Sequence, residues 1–374
     1  MNSNRETFTP INHTSLDKLN LDDRNIQFSI LKYDKHQTLE GLQIEPLAIT
    51  YIKRLTKSGV EILDVATLIA LQKGANRNRC VFVWSDELNE VSLGYIQLLN
   101  NLAFKTIYVV RYSDSEKTFY CSKPDRLDKY FPLQEYLHTK RGKQSPIVFP
   151  DISRSVRDPE RQLSAFWARL QGYFHGAKQF QKVVLLNHIL KNFVVQPFFT
   201  WLWDLDRIIC YKRQYWEMEL KHKYPFISRE RLYFGINDGQ LRLVRDLCNV
   251  GLRTLHLILV KPVWDKELDL GYLYNRRDIS DRVLLIGTEL TEERINQLLT
   301  KESKESGNNT SYSGRSKNRF KSIPATDFYV LGSYERKLSG VADNILKLLN
   351  NEFDKLQNVT DEILFNSRII LESK

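Results

Sequence analysis

YWEMELKHKYP, residues Tyr215–Pro225, is the stretch on which the reading of this chain turns. It sets two glutamates and two lysines among tryptophan, methionine and leucine. On a strand, Tyr215, Glu217, Glu219, Lys221 and Lys223 share one face, while Trp216, Met218, Leu220 and His222 share the other. The second face suits a core. The first must meet water, a partner or a metal. Just upstream stands WDLDRIICY (203–211), separated by only Lys212, Arg213 and Gln214. So short a polar connection predicts a hairpin, with Asp206 and Glu219 meeting at one end of it. Two close carboxylates repel unless a cation lies between them. Mg²⁺ suits such a pair, because it is held by one or two carboxylates and keeps several waters. Lys221 shares the face of Glu219, from which its ammonium reaches a scissile phosphate or an attacking water.

The chain has 374 residues, enough for two domains or for one with large additions. Apolar residues make up 42% of it, which supplies a core. Lys and Arg outnumber Asp and Glu, 55 to 45, for a net charge of +10. That balance leans toward a polyanionic partner, nucleic acid first. Cys80, Cys121, Cys210 and Cys248 form no CxxC pair and read as buried free thiols in a reducing compartment. MNSNRETFTPINHTSLDKLNLDD (1–23) has no apolar core and does not read as a signal peptide. No stretch approaches the roughly 18 apolar residues of a membrane span. The expectation is a cytoplasmic protein with no membrane partner.

Along the chain, residues 1–25 read as a flexible N-terminus. IQFSILK (26–32) reads as a strand, and 46–73 as one or two helices broken near Gly59. CVFVW (80–84) and TIYVV (106–110) read as strands, with helical spacing between them. This β-α-β order predicts an α/β accessory domain over 26–150, for recognition or sensing. PIVFPDISRSVRDPER (146–161) reads as a linker. A second domain over 155–300 begins with helices in LSAFWARLQGYF (163–174) and KQFQKVVLLNHILKNF (178–193), the latter stopped by Pro197. The charged strands, a helix from Gln240, LHLILVKP (255–262), VLLIGTEL (283–290) and a helix capped by Thr291 follow. Residues 301–322 read as a flexible basic loop. Residues 323–374 read as a strand and helices packing on the second domain.

Asp206 followed by Glu219-Leu220-Lys221 resembles the PD-(D/E)xK, or restriction-endonuclease-like, nuclease superfamily, whose motif is an acid, a gap, then acid-x-Lys on the next strand. The likeness continues through a loop, a helix with Gln240 near its start, and an apolar strand, roughly over residues 195–265. It departs where Leu205 replaces the usual proline, where Val244 replaces one branch's tyrosine, and in having no glutamate on the preceding helix, Glu160 being the nearest. The resemblance implies an α/β fold with a restriction-endonuclease-like mixed sheet flanked by helices, preceded by a smaller α/β domain. It implies an Mg²⁺- or Mn²⁺-dependent endonuclease, acting on nucleic acid, DNA before RNA. Asp206, Glu219 and the Leu220 carbonyl would hold the metal, Lys221 would position water or stabilise charge, and Gln240 would orient the site. A role in defence or mobile-element biology would suit such a protein, as would a homodimer or a partner protein. The alternative is a non-catalytic nucleic-acid-binding or scaffold protein with a nuclease-like fold.

Other residues carry weaker readings. Asp204 and Glu217 share faces with Asp206 and Glu219, as secondary ligands or ordinary exposed acids. Lys223, Arg276 and Arg277 are candidate phosphate contacts, as are Arg282 and the alternating Arg315, Lys317, Arg319 and Lys321. His175, His188, His222 and His256 lack zinc spacing and read as surface histidines. Trp201, Trp203 and Trp216 read as core packing rather than base stacking.

Overall fold

A computed structural model describes residues 7–33, 50–71, 79–102, 105–141, 180–265, 271–305, 319–333 and 338–370. They fall into two compact units, both mixed α/β. The first ends at Leu205 and the second begins at Asp206, with residues 50–62 joining the second. The boundary was expected near 150–155. It lies further on because the strand before Asp206 pairs within the first sheet and not with the charged hairpin.

Strand β1 (Glu61–Ile62) belongs to the second unit. The first unit is built on β2 (Ala66–Leu71), β3 (Arg79–Trp84), β4 (Lys105–Ser113), β5 (Thr118–Ser122), β6 (Phe131–Pro132) and β7 (Trp201–Leu205), in the order β6-β5-β4-β3-β2-β7. β3 and β4 run parallel and are joined by the helix Glu90–Leu99, the β-α-β unit expected there. Asn89 caps that helix, its Oδ1 accepting the Ser92 N–H at 2.8 Å.

Two local expectations are reversed. IQFSILK lies in a helix, Arg24–Lys32, started by Asp23, whose carboxylate accepts the Asn25 N–H. The helical pattern expected over 46–73 stops at Gly59, which takes φ +81°. The following ATLIAL is β2, buried between β3 and β7. Short apolar runs carry no decisive period, so tertiary neighbours settle them. The N-terminal stretch is also less free than expected, since Leu16 and Leu21 are buried.

The second unit carries a seven-stranded mixed sheet, β1 with β8 (Ile208–Tyr211), β9 (Gln214–Lys223), β12 (Arg253–Val260), β13 (Leu284–Glu289), β16 (Tyr329–Ser333) and β17 (Gln357–Asn358), in that spatial order. β8 and β9 form the hairpin, with Lys212 and Arg213 both at positive φ in a two-residue turn. β9 and β12 are parallel, and the crossover between them contains the helix Asp238–Cys248. A four-stranded antiparallel sheet, ordered β10 (Phe226–Ser228), β11 (Arg231–Asn237), β15 (Arg319–Pro324), β14 (Lys304–Glu305), grows from the same crossover. The loop expected over 301–322 is therefore partly strand at both ends; Arg315 and Lys317 lie outside the described residues. So do 163–174, the linker 146–161, Glu160 and His175.

The main core lies on one face of the large sheet. Leu241 and Val244 of the Asp238 helix meet Ile258, Val260, Ile286, Phe234, Ile323 and Phe328 there. Each fully buried side chain of this size contributes about 1.5–3 kcal/mol. Val359 and Leu364 from the C-terminal segment close the same core. On the opposite face, a Cβ at Gly287 would stand 2.7 Å from Leu257 and 2.8 Å from Leu331. Gly287→Ala should destabilise the protein by about 1–2 kcal/mol, since the leucine tips can give only part way. A lowered urea midpoint at unchanged slope would register it; an unchanged midpoint would refute it.

Candidate functional site

The site forms where the β8–β9 hairpin ladder runs out. The Arg207 carbonyl accepts the Met218 N–H at 2.8 Å. One residue earlier the side chain takes over, and Asp206 Oδ2 accepts the Leu220 N–H at 3.0 Å. The N–H and C=O of one strand residue leave by the same edge. The Leu220 carbonyl therefore faces the edge that Asp206 closes.

On the face above, Glu219 Oε1 accepts from Gln240 Nε2 at 2.5 Å and contacts the Lys221 ammonium. Lys221 Nζ also lies 3.6 Å from Asp206 Oδ2. Asp206, Glu219, Lys221 and Gln240 thus meet at one point, although Asp206 comes from the two-residue link between β7 and β8 and not from within a strand. Gln240 is delivered by its helix cap. Asn237 Oδ1 accepts the N–H groups of Gly239 and Gln240 at 2.8 and 3.2 Å, and Asp238 adds an acid to the first turn.

The two acids on the charged face of β9 are withdrawn from solvent, while Lys221 stays partly exposed. Glu217 and Glu219 are each only 2% exposed, facing the side that the Asp238 helix covers. Glu217 Oε2 accepts the Thr254 hydroxyl at 3.1 Å. Burial, then the negative charges of Glu219 and Asp206, hold its carboxyl well above the ordinary range. Three carboxylates against the two ammonium groups of Lys221 and Lys223 would leave one buried charge unmatched. A proton on Glu217 removes it. Lys223 donates to the Gly235 carbonyl at 2.7 Å. Burial and the neighbouring Lys221 push its ammonium down to about 8.

Several expected residues stand elsewhere. Asp204 belongs to β7 of the first unit and pairs with Lys191 at 2.6 Å. Trp201 and Trp203 stack on each other in the same strand. Trp216 is buried beneath the Arg253 guanidinium, 3.8 Å from its ring centre. Arg276 is exposed, with its guanidinium forked onto Asp278 at 2.8 and 3.1 Å. Arg277 is exposed at the start of the short helix Arg277–Ser280. Arg282 donates to the Asn366 carbonyl. Lys321 is buried and donates to the carbonyls of Leu299 and Lys301, so it does not face solvent as a loop cation would.

Two of the histidines read as surface groups are buried. His188 lies 3.2 Å from the Tyr33 carbonyl, and His256 is sealed in β12 beside Glu219. His222 contacts the Tyr272 hydroxyl at 2.7 Å. All four cysteines are free, with Cys80 and Cys121 buried and Cys210 and Cys248 half-buried.

Among the described residues, no group of three or more His, Cys, Asp or Glu side chains is arranged to hold a metal ion. The donor set at the hairpin end is smaller: two carboxylates and one backbone carbonyl. That set is all oxygen and leaves room for water, which suits Mg²⁺ or Mn²⁺ and not a closed zinc site. The Lys221 ammonium between the two carboxylates marks the point where positive charge is favoured. No protein-family model, curated protein or solved structure matches the chain. Among the described residues, no helix is long and apolar enough to cross a membrane.

Proposed function

We propose that this protein is a metal-dependent nuclease of the PD-(D/E)xK type, hydrolysing phosphodiester bonds in nucleic acid, DNA before RNA. The observation that supports it is the meeting of Asp206, Glu219, Lys221 and Gln240 at one half-enclosed point. The mixed sheet with a parallel β9–β12 pair and an intervening helix is compatible with the restriction-endonuclease-like arrangement. Asp206, Glu219 and the Leu220 carbonyl would hold Mg²⁺ or Mn²⁺, which supplies charge neutralisation and a more acidic water. Asp206 is fixed for that role by the Leu220 N–H, and Glu219 by Gln240. Lys221, released from the carboxylates, carries its ammonium to the attacking water or to the charge developing on the phosphate oxygens. Lys223 fixes the Gly235 carbonyl beside the site and so holds β11 and the cap of the Gln240 helix. The +10 net charge favours association with a polyanion.

The test is cleavage by the full chain of plasmid, linear duplex, single-stranded DNA and RNA, with Mg²⁺ or Mn²⁺ and with chelator. Metal-dependent cleavage of at least one substrate is expected. Intact substrates throughout, with Mn²⁺ failing to bind in calorimetry, would leave the scaffold reading in its place.

A further inference from the structure

His256 is 0% exposed, and neither ring nitrogen has a hydrogen-bond partner among the described residues. Its register neighbours are Glu219 on β9 and Thr288 on β13. Directly paired strand residues face the same way, so Glu219, His256 and Thr288 cross the sheet in one row. The Phe328 ring lies beside the imidazole, 6.1 Å between centres. On the far side, Thr288 Oγ1 accepts from Arg294 Nη1 at 2.5 Å, and Arg294 is anchored by Asp327 at 2.8 Å. Thr288 therefore keeps its own hydroxyl proton to give. On the near side, Gln240 and Lys221 both engage Oε1 of Glu219. Burial, then the charges of Lys223, Lys221 and Arg294, disfavour a proton on the ring. A neutral imidazole has one donor and one acceptor nitrogen. An unpartnered polar ring in this core costs stability that leucine would not.

We propose that His256 is a positioning residue for Glu219, accepting the Thr288 hydroxyl proton at one ring nitrogen and donating from the other to the second carboxylate oxygen of Glu219. The contact forms when Lys221 leaves the carboxylate for substrate or water, and it holds Glu219 in place as a metal-binding group. This rests on the metal reading of the site. Groups that brace a metal-binding side chain typically affect affinity by about 10–100-fold.

Calorimetric titration of Mn²⁺ into the full chain tests it. His256→Leu should weaken Mn²⁺ binding roughly tenfold or more while raising the melting temperature in chelator. His256→Gln, which keeps a donor, should recover part of the affinity. Thr288→Val should weaken binding less, and adding it to His256→Leu should cost nothing further, because one chain is already broken. If His256→Leu binds Mn²⁺ like the wild type while Glu219→Gln does not bind, the inference is overturned and the site reading stands. If the wild type binds no Mn²⁺, both fall.

Discussion

Glu219→Gln should lower metal-dependent cleavage by roughly 10²–10³-fold or more, the scale seen when one electrostatic group of a site is removed, without lowering the melting temperature. The amide keeps the shape of the side chain and an oxygen for Gln240 Nε2. It removes a charge that is 2% exposed and faces a second buried acid. Loss of activity with unchanged or raised stability is the mark of a group kept for chemistry and not for the fold. Asp206 needs a finer pair of variants, because its carboxylate also closes the ladder at Leu220 N–H. Asp206→Asn can still accept that hydrogen bond; Asp206→Ala cannot. Both should lose cleavage alike, while only the alanine variant should lose an additional ~1 kcal/mol of stability. Single-turnover rates and chemical denaturation of the three variants separate the roles. Full cleavage by Glu219→Gln would show that the chemistry is not carried by this site.

The parts legible from the amino-acid order are those set by short-range geometry. Period-two alternation placed Glu217, Glu219, Lys221 and Lys223 on one face of β9, and the tight Lys212–Arg213 turn made the hairpin. What no local pattern showed was how that face is covered. The Asp238 helix returns over it through a crossover, and that is tertiary information. For the same reason the sealed position of His256 depends on two cross-strand registers and is absent from the spacing of histidines. WDLDRIICY reads as one strand because nothing in Asp206-Arg207 forbids strand geometry. It is divided because β7 pairs with β2 and β8 with β9. IQFSILK and ATLIAL show the limit of short apolar runs, where a capping aspartate and neighbouring strands decide between helix and strand.

Glu217→Gln should stabilise the metal-free protein, and by an amount that grows with pH. In chelator, the folded carboxyl titrates above its unfolded value near 4.5, because burial and the charges of Glu219 and Asp206 oppose ionisation. Between those two values the folded state holds a proton that the unfolded state has lost. Stability therefore falls as pH rises through the window. Glutamine cannot titrate, still accepts the Thr254 hydroxyl, and escapes that fall. Below about pH 4.5 the two proteins should unfold alike, within a few tenths of a kcal/mol. Above neutrality the variant should be the more stable of the two, by a margin that widens with each step in pH until the folded carboxyl ionises. Lys223, pushed down to about 8, gives the opposite slope from there to 10.5, since the unfolded lysine holds its proton longer. Comparison at each pH below 8 removes that contribution. Denaturation midpoints from pH 4 to 8 are the measurement, and a variant less stable than wild type at every pH would show the charge to be a structural asset. Cleavage discriminates further. A Glu217 that merely carries the surplus proton should tolerate glutamine with less than tenfold loss. A Glu217 that holds the metal should lose as much as Glu219→Gln.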